Sequence, residues 1–585
     1  MCGIFSLLNN NELVFTRQFI DEQFKKGEGR GPEHSSMTNV NVKALFGFHR
    51  LAINGLNQEA NQPIKYNDIT LICNGEIYNF RELYKDMDAK PTTDSDCEVI
   101  IHLYLKYGIE HTLQMLDGVF AFILLDGRYN LQINKMYVAR DPYGVRPLFW
   151  LRDKNTDSES SDQLYGFASE LKMLSSFYSK LKQPIVRKHR RLTIMESYLD
   201  QAEPNHFVLE PFQPGTYATF ELPWTVNASW RLTNTTKYHT AGFNSNISMN
   251  KETSDDFFYG IQRHFMAAVF KRCSTTDRPI ACLLSGGLDS SLVTALVSDY
   301  HRINGLPPVG TYSIGLEGSE DLKYARQVAD YLGTTHTEII VSEQDFIDAV
   351  PDVIKCIESY DTTTVRASIG NWLLGKYIAV NSEAKVIFNG DGADELCGGY
   401  LYMHKCPDAI EFDKESRRLL KDIHYFDVLR SDRSISSHGL EPRTPFLDRS
   451  WVQYYLSIPP ATRFHLLTGK QEKWLLRSAF SRQFFQDSQN RDLLPHDILW
   501  RRKEAFSDGV SMGTRSLYQI LQEHAASLPL TKEDMEHNYC KTAEQRWYRS
   551  VFDELYPGLS HVIPYFWMPK YVEATDASAR TLAIY

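Results

Sequence analysis

The sequence predicts a two-part α/β protein: a strand-rich first part with tight turns, and a second part built on a parallel sheet covered by helices on both faces. Three observations lead there. The chain has 585 residues, more than one hydrophobic core organises when a domain holds roughly 100–200. Up to about Leu222, short β-type runs are punctuated by Gly, Asn and Asp. From Asp255 onward, buried strands alternate with helical stretches, which is the pattern of parallel strands joined by crossover helices.

In the first part, the runs Ala44–His49, Ile69–Cys73, Phe120–Leu125, Lys135–Val138 and Leu164–Ala168 are strand-like and bounded by turn residues. Cys97–Tyr107 repeats apolar residues at spacings of three and four, a helical period. Gly215–Leu222 reads as the last strand, and the Ser/Thr/Asn-rich stretch Asn227–Asn250 as a linker. The expected domains are therefore 2–222 and 255–585, with 223–254 between them. In the second part, Ile280–Leu284 is a strand, Leu292–Tyr300 a helix, Val309–Ile314 a strand and Asp321–Leu332 a helix. Glu338–Val341 and Lys385–Phe388 are further strands.

Composition narrows the function. The chain carries 63 Lys plus Arg against 73 Asp plus Glu, a net charge of −10, so no basic surface for nucleic acid is expected. No apolar run reaches the ~18–20 residues that span a bilayer, and no basic-then-apolar leader opens the chain. The nine cysteines are scattered without a Cys-x-x-Cys pair. That pattern suits free thiols in the cytosol and argues against a disulfide framework or a zinc site.

The first chemical constellation begins at Cys2, followed by the small Gly3. Removal of Met1 would leave one residue with both a thiol and a free α-amine, whose pKa near ~7.7–8.0 lets it act as a base. Downstream stand His49-Arg50-Leu51-Ala52-Ile53-Asn54, Asn74-Gly75-Glu76 and Asp94-Ser95-Asp96. Arg50 can fork onto an α-carboxylate, while Glu76 and Asp96 can hold an α-ammonium. The Asn74 amide and Gly75 N–H can form an oxyanion hole. Together these describe a pocket for a free amino acid with a cleavable side-chain amide, which means glutamine, with Arg50, Leu51, Ala52, Ile53, Asn54, Asn74, Gly75, Glu76 and Asp96 lining it.

These segments, with Arg30-Gly31-Pro32, Leu116–Phe122 and Arg140–Leu148, resemble the class II glutamine amidotransferase family over about residues 2–220. The resemblance implies the N-terminal-nucleophile fold, an α+β sandwich of two antiparallel sheets between helical layers. The family's usual His-Arg-Gly-Pro-Asp reads Gly29-Arg30-Gly31-Pro32-Glu33 here, in a loop resembling one that closes over glutamine.

The second constellation is Leu284-Ser285-Gly286-Gly287-Leu288-Asp289-Ser290-Ser291. It lies between a buried strand and a helix, where glycines admit phosphate oxygens and the helix N-terminus favours anions. It lacks the Gly-Lys-Ser/Thr of a P-loop. Its sequence resembles the fingerprint of the ATP pyrophosphatase family. That resemblance implies a doubly wound parallel sheet, α–β cleavage of ATP, and pyrophosphate held by Ser285, Gly286, Gly287 and Ser290. Asp289 is a candidate Mg2+ ligand. Asp394, in Asn389-Gly390-Asp391-Gly392-Ala393-Asp394-Glu395, is a second, since Mg2+ takes one or two carboxylates plus the phosphates and this loop also follows a strand end. Lys503 offers a cation for charge growing at the α-phosphorus.

With both constellations on one chain, and with Ser359–Ser368, Gly398–Tyr402 and His438–Asp448, the sequence resembles the glutamine-hydrolysing asparagine synthetase family over nearly its whole length. The resemblance implies glutamine, aspartate and ATP as substrates and leaves a homodimer open. It carries Leu284, Ile314, Asn389 and Gly390 over as adenosine contacts, and Thr363 and Arg366 as aspartate contacts. Asp391 stands where the family usually has Glu in the acid that steers acyl-adenylate chemistry, and Asn389 where it has Ser. At this point a relative acting on another carboxylate, or a weakened amino-acid-binding homologue, stays open.

Overall fold

The computed structural model describes residues 1–578 except 11, 13, 42, 129–132, 155–162, 183–205, 226, 242–253, 466–468, 505, 512–514 and 530–536. The first part contains two six-stranded antiparallel sheets. One runs, in spatial order, Phe207–Pro211, Phe149–Asp153, Tyr165–Ala168, Gly3–Leu8, Ala44–Arg50, His34–Asn41. The other runs Arg231–Lys237, Thr216–Pro223, Ile133–Arg140, Gly118–Asp126, Ile69–Ile77, Ile64–Tyr66.

Alternation along the strands builds the layers. Ile4, Phe46 and Phe48 of the first sheet meet Ile72, Ile123 and Val138 of the second in one buried cluster. The intervening Leu71, Cys73, Phe122 and Leu124 turn outward onto Leu83, Ile100 and Leu103 of the helices Phe80–Met87 and Val99–Met115. On the opposite side, the Phe5 ring meets Phe24 and Phe177 at 5.9 and 6.1 Å between centroids, seating the helices Arg17–Lys25 and Ser175–Lys182. The expected sandwich between helical layers is present.

The second part holds a five-stranded parallel sheet, in the order Thr335–Ile340, Gly310–Gly315, Ile280–Leu283, Val386–Phe388, Glu441–Arg443. Ala281, Leu283 and Ile387 face Phe346, Val350, Val365 and Ile369 on one side. Cys282, Leu284 and Phe388 face Leu292, Leu296 and Val328 on the other. Both faces are covered, as a parallel sheet requires.

The expected linker is corrected in one respect. Arg231–Lys237 is a strand paired with Thr216–Pro223, extending the second sheet. Most of its residues are exposed, so an edge strand of Arg, Thr, Asn and Lys shows no apolar alternation to read. Residues 242–253 of the expected linker lie outside the described residues. Among the described residues, no helix is long and apolar enough to cross a membrane.

Candidate active sites

The strand Gly3–Leu8 begins just past Cys2 and brings it to the loop that follows Ala44–Arg50. The Cys2 thiol donates to the Leu51 carbonyl at 3.6 Å, and Arg30 Nε donates to the Cys2 carbonyl at 2.9 Å. The chain's α-amine is on Met1 and donates to the Leu440 carbonyl at 3.3 Å. Burial lowers that amine to about 5 and raises the Cys2 thiol, against the pull of the terminus and Arg50. With Met1 in place the thiol is thus poorly ionised, which is the state before any activation.

The Arg50 guanidinium is anchored by the Asn57 carbonyl and Asn61 Oδ1, both at 2.7 Å, and by the Gly55 carbonyl. The strand Ile69–Ile77 delivers Asn74, Gly75 and Glu76. Both polar atoms of the Asn74 amide are buried without a hydrogen-bond partner, a costly state, and a ligand oxyanion would satisfy the Nδ2 donor. Glu76 Oε2 accepts from Asn54 Nδ2 at 2.5 Å, and Asp96 Oδ2 accepts from the Ile77 N–H at 2.6 Å. Burial raises Asp96 to about 6. Burial also raises Glu76, reinforced by Asp96 and Glu441. This first site lies at the boundary of the two parts: Arg30 pairs with Asp432 at 2.7 Å, and Arg443 stands 3.5 Å from Glu76.

The second site is a cavity of about 200 Å³ at the carboxyl ends of the parallel strands. Leu284, Ser285, Asp289, Ser290, Ile314, Asn389, Gly390, Asp391, Asp394, Lys503, Thr363 and Arg366 all line it, with Gly287. Gly286 is behind the wall. Its φ is +71° and a Cβ there would come within 2.5 Å of the Tyr324–Ala325 backbone, so only glycine makes this turn. A Cβ on Gly390 would come within 2.9 Å of the Ser290 nitrogen, which shows how closely the two strand-end loops approach.

Asp289 and Asp394 face one ammonium. Lys473 Nζ lies 2.6 Å from Asp289 Oδ2 and 2.5 Å from Asp394 Oδ1. Lys503 Nζ adds a contact of 2.6 Å to Asp394. Burial would raise Asp394, but the two lysines outweigh it and hold the carboxyl well below its usual range. Two carboxylates from two strand-end loops, with open cavity beside them, suit a cation that brings its own phosphate oxygens.

Similarity to known proteins bears on this geometry. The glutamine amidotransferase domain family matches residues 1–230, and the asparagine synthase family matches 260–412 and 407–568. The asparagine synthetase [glutamine-hydrolyzing] of Cricetulus griseus is 39% identical over 610 residues, covering 100% of this chain and 99% of its own. Those of Homo sapiens and Gallus gallus are 39% and 40% identical over 612 residues with the same coverage. The chain belongs to the glutamine-hydrolysing asparagine synthetase family.

Within this asparagine synthetase fold, three of the four departures from the family pattern have side-chain partners. Glu33 accepts from the Ala52 N–H at 2.6 Å and from Arg278 at 2.7 Å. Asn389 Nδ2 donates to Ser431 Oγ at 2.6 Å. Asp391 Oδ1 accepts from Arg430 at 3.1 Å, while its Oδ2 is buried without a hydrogen-bond partner. The expected aspartate contacts divide. Thr363 has a buried hydroxyl without a hydrogen-bond partner, whereas the Arg366 guanidinium is shared by Glu544 and Asp576 at 2.5 and 2.7 Å.

Lys473 was not among the residues expected from sequence. It is 2% exposed and holds a left-handed φ of +59° just before the helix Trp474–Ala479, a strained conformation for a non-glycine residue. Its sequence neighbours give no motif; only the positive φ and the two carboxylates mark it. Glu441 and Arg443, beside Glu76, were missed for a similar reason: their strand is three residues long and contains Pro442.

Proposed function

We propose that this asparagine synthetase family member makes L-asparagine from L-aspartate, L-glutamine and ATP, at two sites joined by a sealed path for ammonia. The observation that carries the reading is the second cavity, where the Ser285–Ser290 turn, with its Asp289, faces Asp394, Lys473 and Lys503.

The first half-reaction starts with removal of Met1, which gives Cys2 the free amine. The amine takes the thiol proton and the sulfur attacks the glutamine carboxamide carbon. The Asn74 amide and Gly75 N–H hold the oxyanion. The nitrogen leaves as ammonia with the proton returned by the amine, and water cleaves the thioester to glutamate. Arg50 holds the α-carboxylate; Glu76 and Asp96 hold the α-ammonium. Replacing Asn74 by Ala should cut glutamine hydrolysis roughly 10²–10³-fold in kcat with glutamine KM little changed. Glutamate release under saturating glutamine reads this directly.

At the second site, the aspartate β-carboxylate attacks the α-phosphorus of ATP and pyrophosphate leaves, giving β-aspartyl-AMP. Ser285, Gly287 and Ser290 hold the pyrophosphate, and Lys473 and Lys503 neutralise its growing charge. Leu284, Ile314, Asn389 and Gly390 surround the adenosine, and Thr363 contacts aspartate. Ammonia then attacks the acyl carbon, AMP leaves, and the open Oδ2 of Asp391 takes the released proton. Asp289 and Asp394 would hold Mg2+, which when bound neutralises phosphate charge. The work divides between 2–222, extended by the strand Arg231–Lys237, and 255–585. All nine cysteines are free thiols, which supports a reducing, cytosolic setting.

The test is the nucleotide product. Protein incubated with aspartate, glutamine and Mg-ATP should yield AMP, pyrophosphate, glutamate and asparagine in equal amounts. ADP in place of AMP would reject the second half of the scheme.

A further inference from the structure

The loop Leu51–Gly55 contributes four residues of the proposed glutamine pocket, and Leu51, Ala52 and Ile53 are each almost fully buried. Buried backbone groups need partners, and no strand supplies them here. The Leu51 carbonyl accepts from Cys2, and the Ala52 N–H donates to Glu33. The Gly55 carbonyl accepts from Arg50, and three further partners come from one short turn in the second part of the chain. Arg278 Nε donates to the Ala52 carbonyl at 2.8 Å. The Asp277 N–H donates to the Ile53 carbonyl at 2.9 Å. The Asp277 carboxylate accepts from the Gly55 N–H at 2.9 Å.

Arg278 also reaches Glu33 at 2.7 Å, so one guanidinium ties the Glu33 loop to the Leu51–Gly55 loop. The turn is itself rigid. Thr276 Oγ1 accepts from the Arg278 N–H at 2.9 Å and donates to the Arg278 carbonyl at 3.1 Å. The next residue, Pro279, accepts from the Lys385 N–H at 3.1 Å beside the parallel sheet. The strand that follows, Ile280–Leu283, leads straight into the Ser285–Ser290 turn.

We propose that Asp277 and Arg278 are positioning residues for glutamine, supplied by the synthetase half to a pocket that the glutaminase half does not complete alone. The inference rests on reading Leu51–Asn54 as glutamine-binding. Neither residue touches the second cavity, so their action is on glutamine affinity and not on asparagine formation from free ammonia. The Glu33 carboxylate and Arg278 act as one unit, so their losses overlap instead of adding.

The test uses the full chain with Arg278→Gln, Glu33→Gln and the double substitution. Glutamine KM should rise about tenfold in each single variant, and by no more than the larger single effect in the double. Glutaminase kcat, ammonia-dependent asparagine synthesis and Tm should stay close to those of the unaltered protein. An unchanged glutamine KM in Arg278→Gln overturns the proposal. So does a parallel fall in ammonia-dependent synthesis, which would mark a general structural role. Glutamine hydrolysis by the unaltered protein tests the underlying reading separately: if it is absent, that reading has failed, and not merely the role of Arg278.

Discussion

Cys2→Ala should abolish glutamine-driven asparagine synthesis while ammonia-driven synthesis continues. The fall expected is roughly 10⁴-fold or more, because loss of the nucleophile removes the covalent route and not a single contact within it. The structure gives two reasons to expect so sharp a split. The Cys2 thiol is bound to the Leu51 carbonyl, inside the loop that Glu76 also contacts through Asn54. The lysine and aspartate cluster of the second cavity does not include it. Alanine keeps the small volume of the partly exposed side chain, so folding is not the variable. The measurement is asparagine formed with glutamine against asparagine formed with an ammonium salt. Persistent glutamine-driven turnover would remove Cys2 as the nucleophile.

Lys503→Ala should give the opposite pattern. Asparagine and AMP formation should fall roughly 10²–10³-fold with either nitrogen source, while glutamate release survives. Lys503 is the better probe than Lys473. Lys473 is nearly fully buried between Asp289 and Asp394, and its loss would take from Asp289 its nearest cation, with Lys503 3.8 Å away. The Lys503 side chain is 21% exposed and pairs with Asp394 at 2.6 Å, leaving Lys473 to hold the pair when it is gone. Its ammonium is the more exposed of the two and lies beside the cavity where phosphate charge would develop. Pyrophosphate release with aspartate and Mg-ATP reads the first step alone. If that rate is unchanged in Lys503→Ala, the residue has no part in adenylation. The two variants together separate the sites: each should silence one and spare the other.

Several features needed nothing beyond the sequence. The expected Ile69–Cys73, Ile280–Leu284 and Leu292–Tyr300 coincide in part with the strands Ile69–Ile77 and Ile280–Leu283 and the helix Leu288–Ile303, because apolar runs and turn residues are local properties of the chain. The chemical groups were equally local. Cys2, Asn74-Gly75-Glu76, the Ser285–Ser290 turn and the Asn389–Glu395 loop are each contiguous, and a short run suffices to name a donor set. Where sequence failed, period or contiguity was missing. The exposed strand Arg231–Lys237 has no apolar alternation, and Glu441–Arg443 is too short to show one.

Tertiary structure alone decided which charges meet. Lys473 is 184 residues from Asp289, and Arg278 is 245 from Glu33. It also showed that Arg366 spends its guanidinium on Glu544 and Asp576, which no motif around it announces. The physical reason is that a buried charge or backbone group is satisfied by whatever the fold brings within about 3 Å. Sequence fixes which groups exist and where the chain turns; only packing fixes their neighbours.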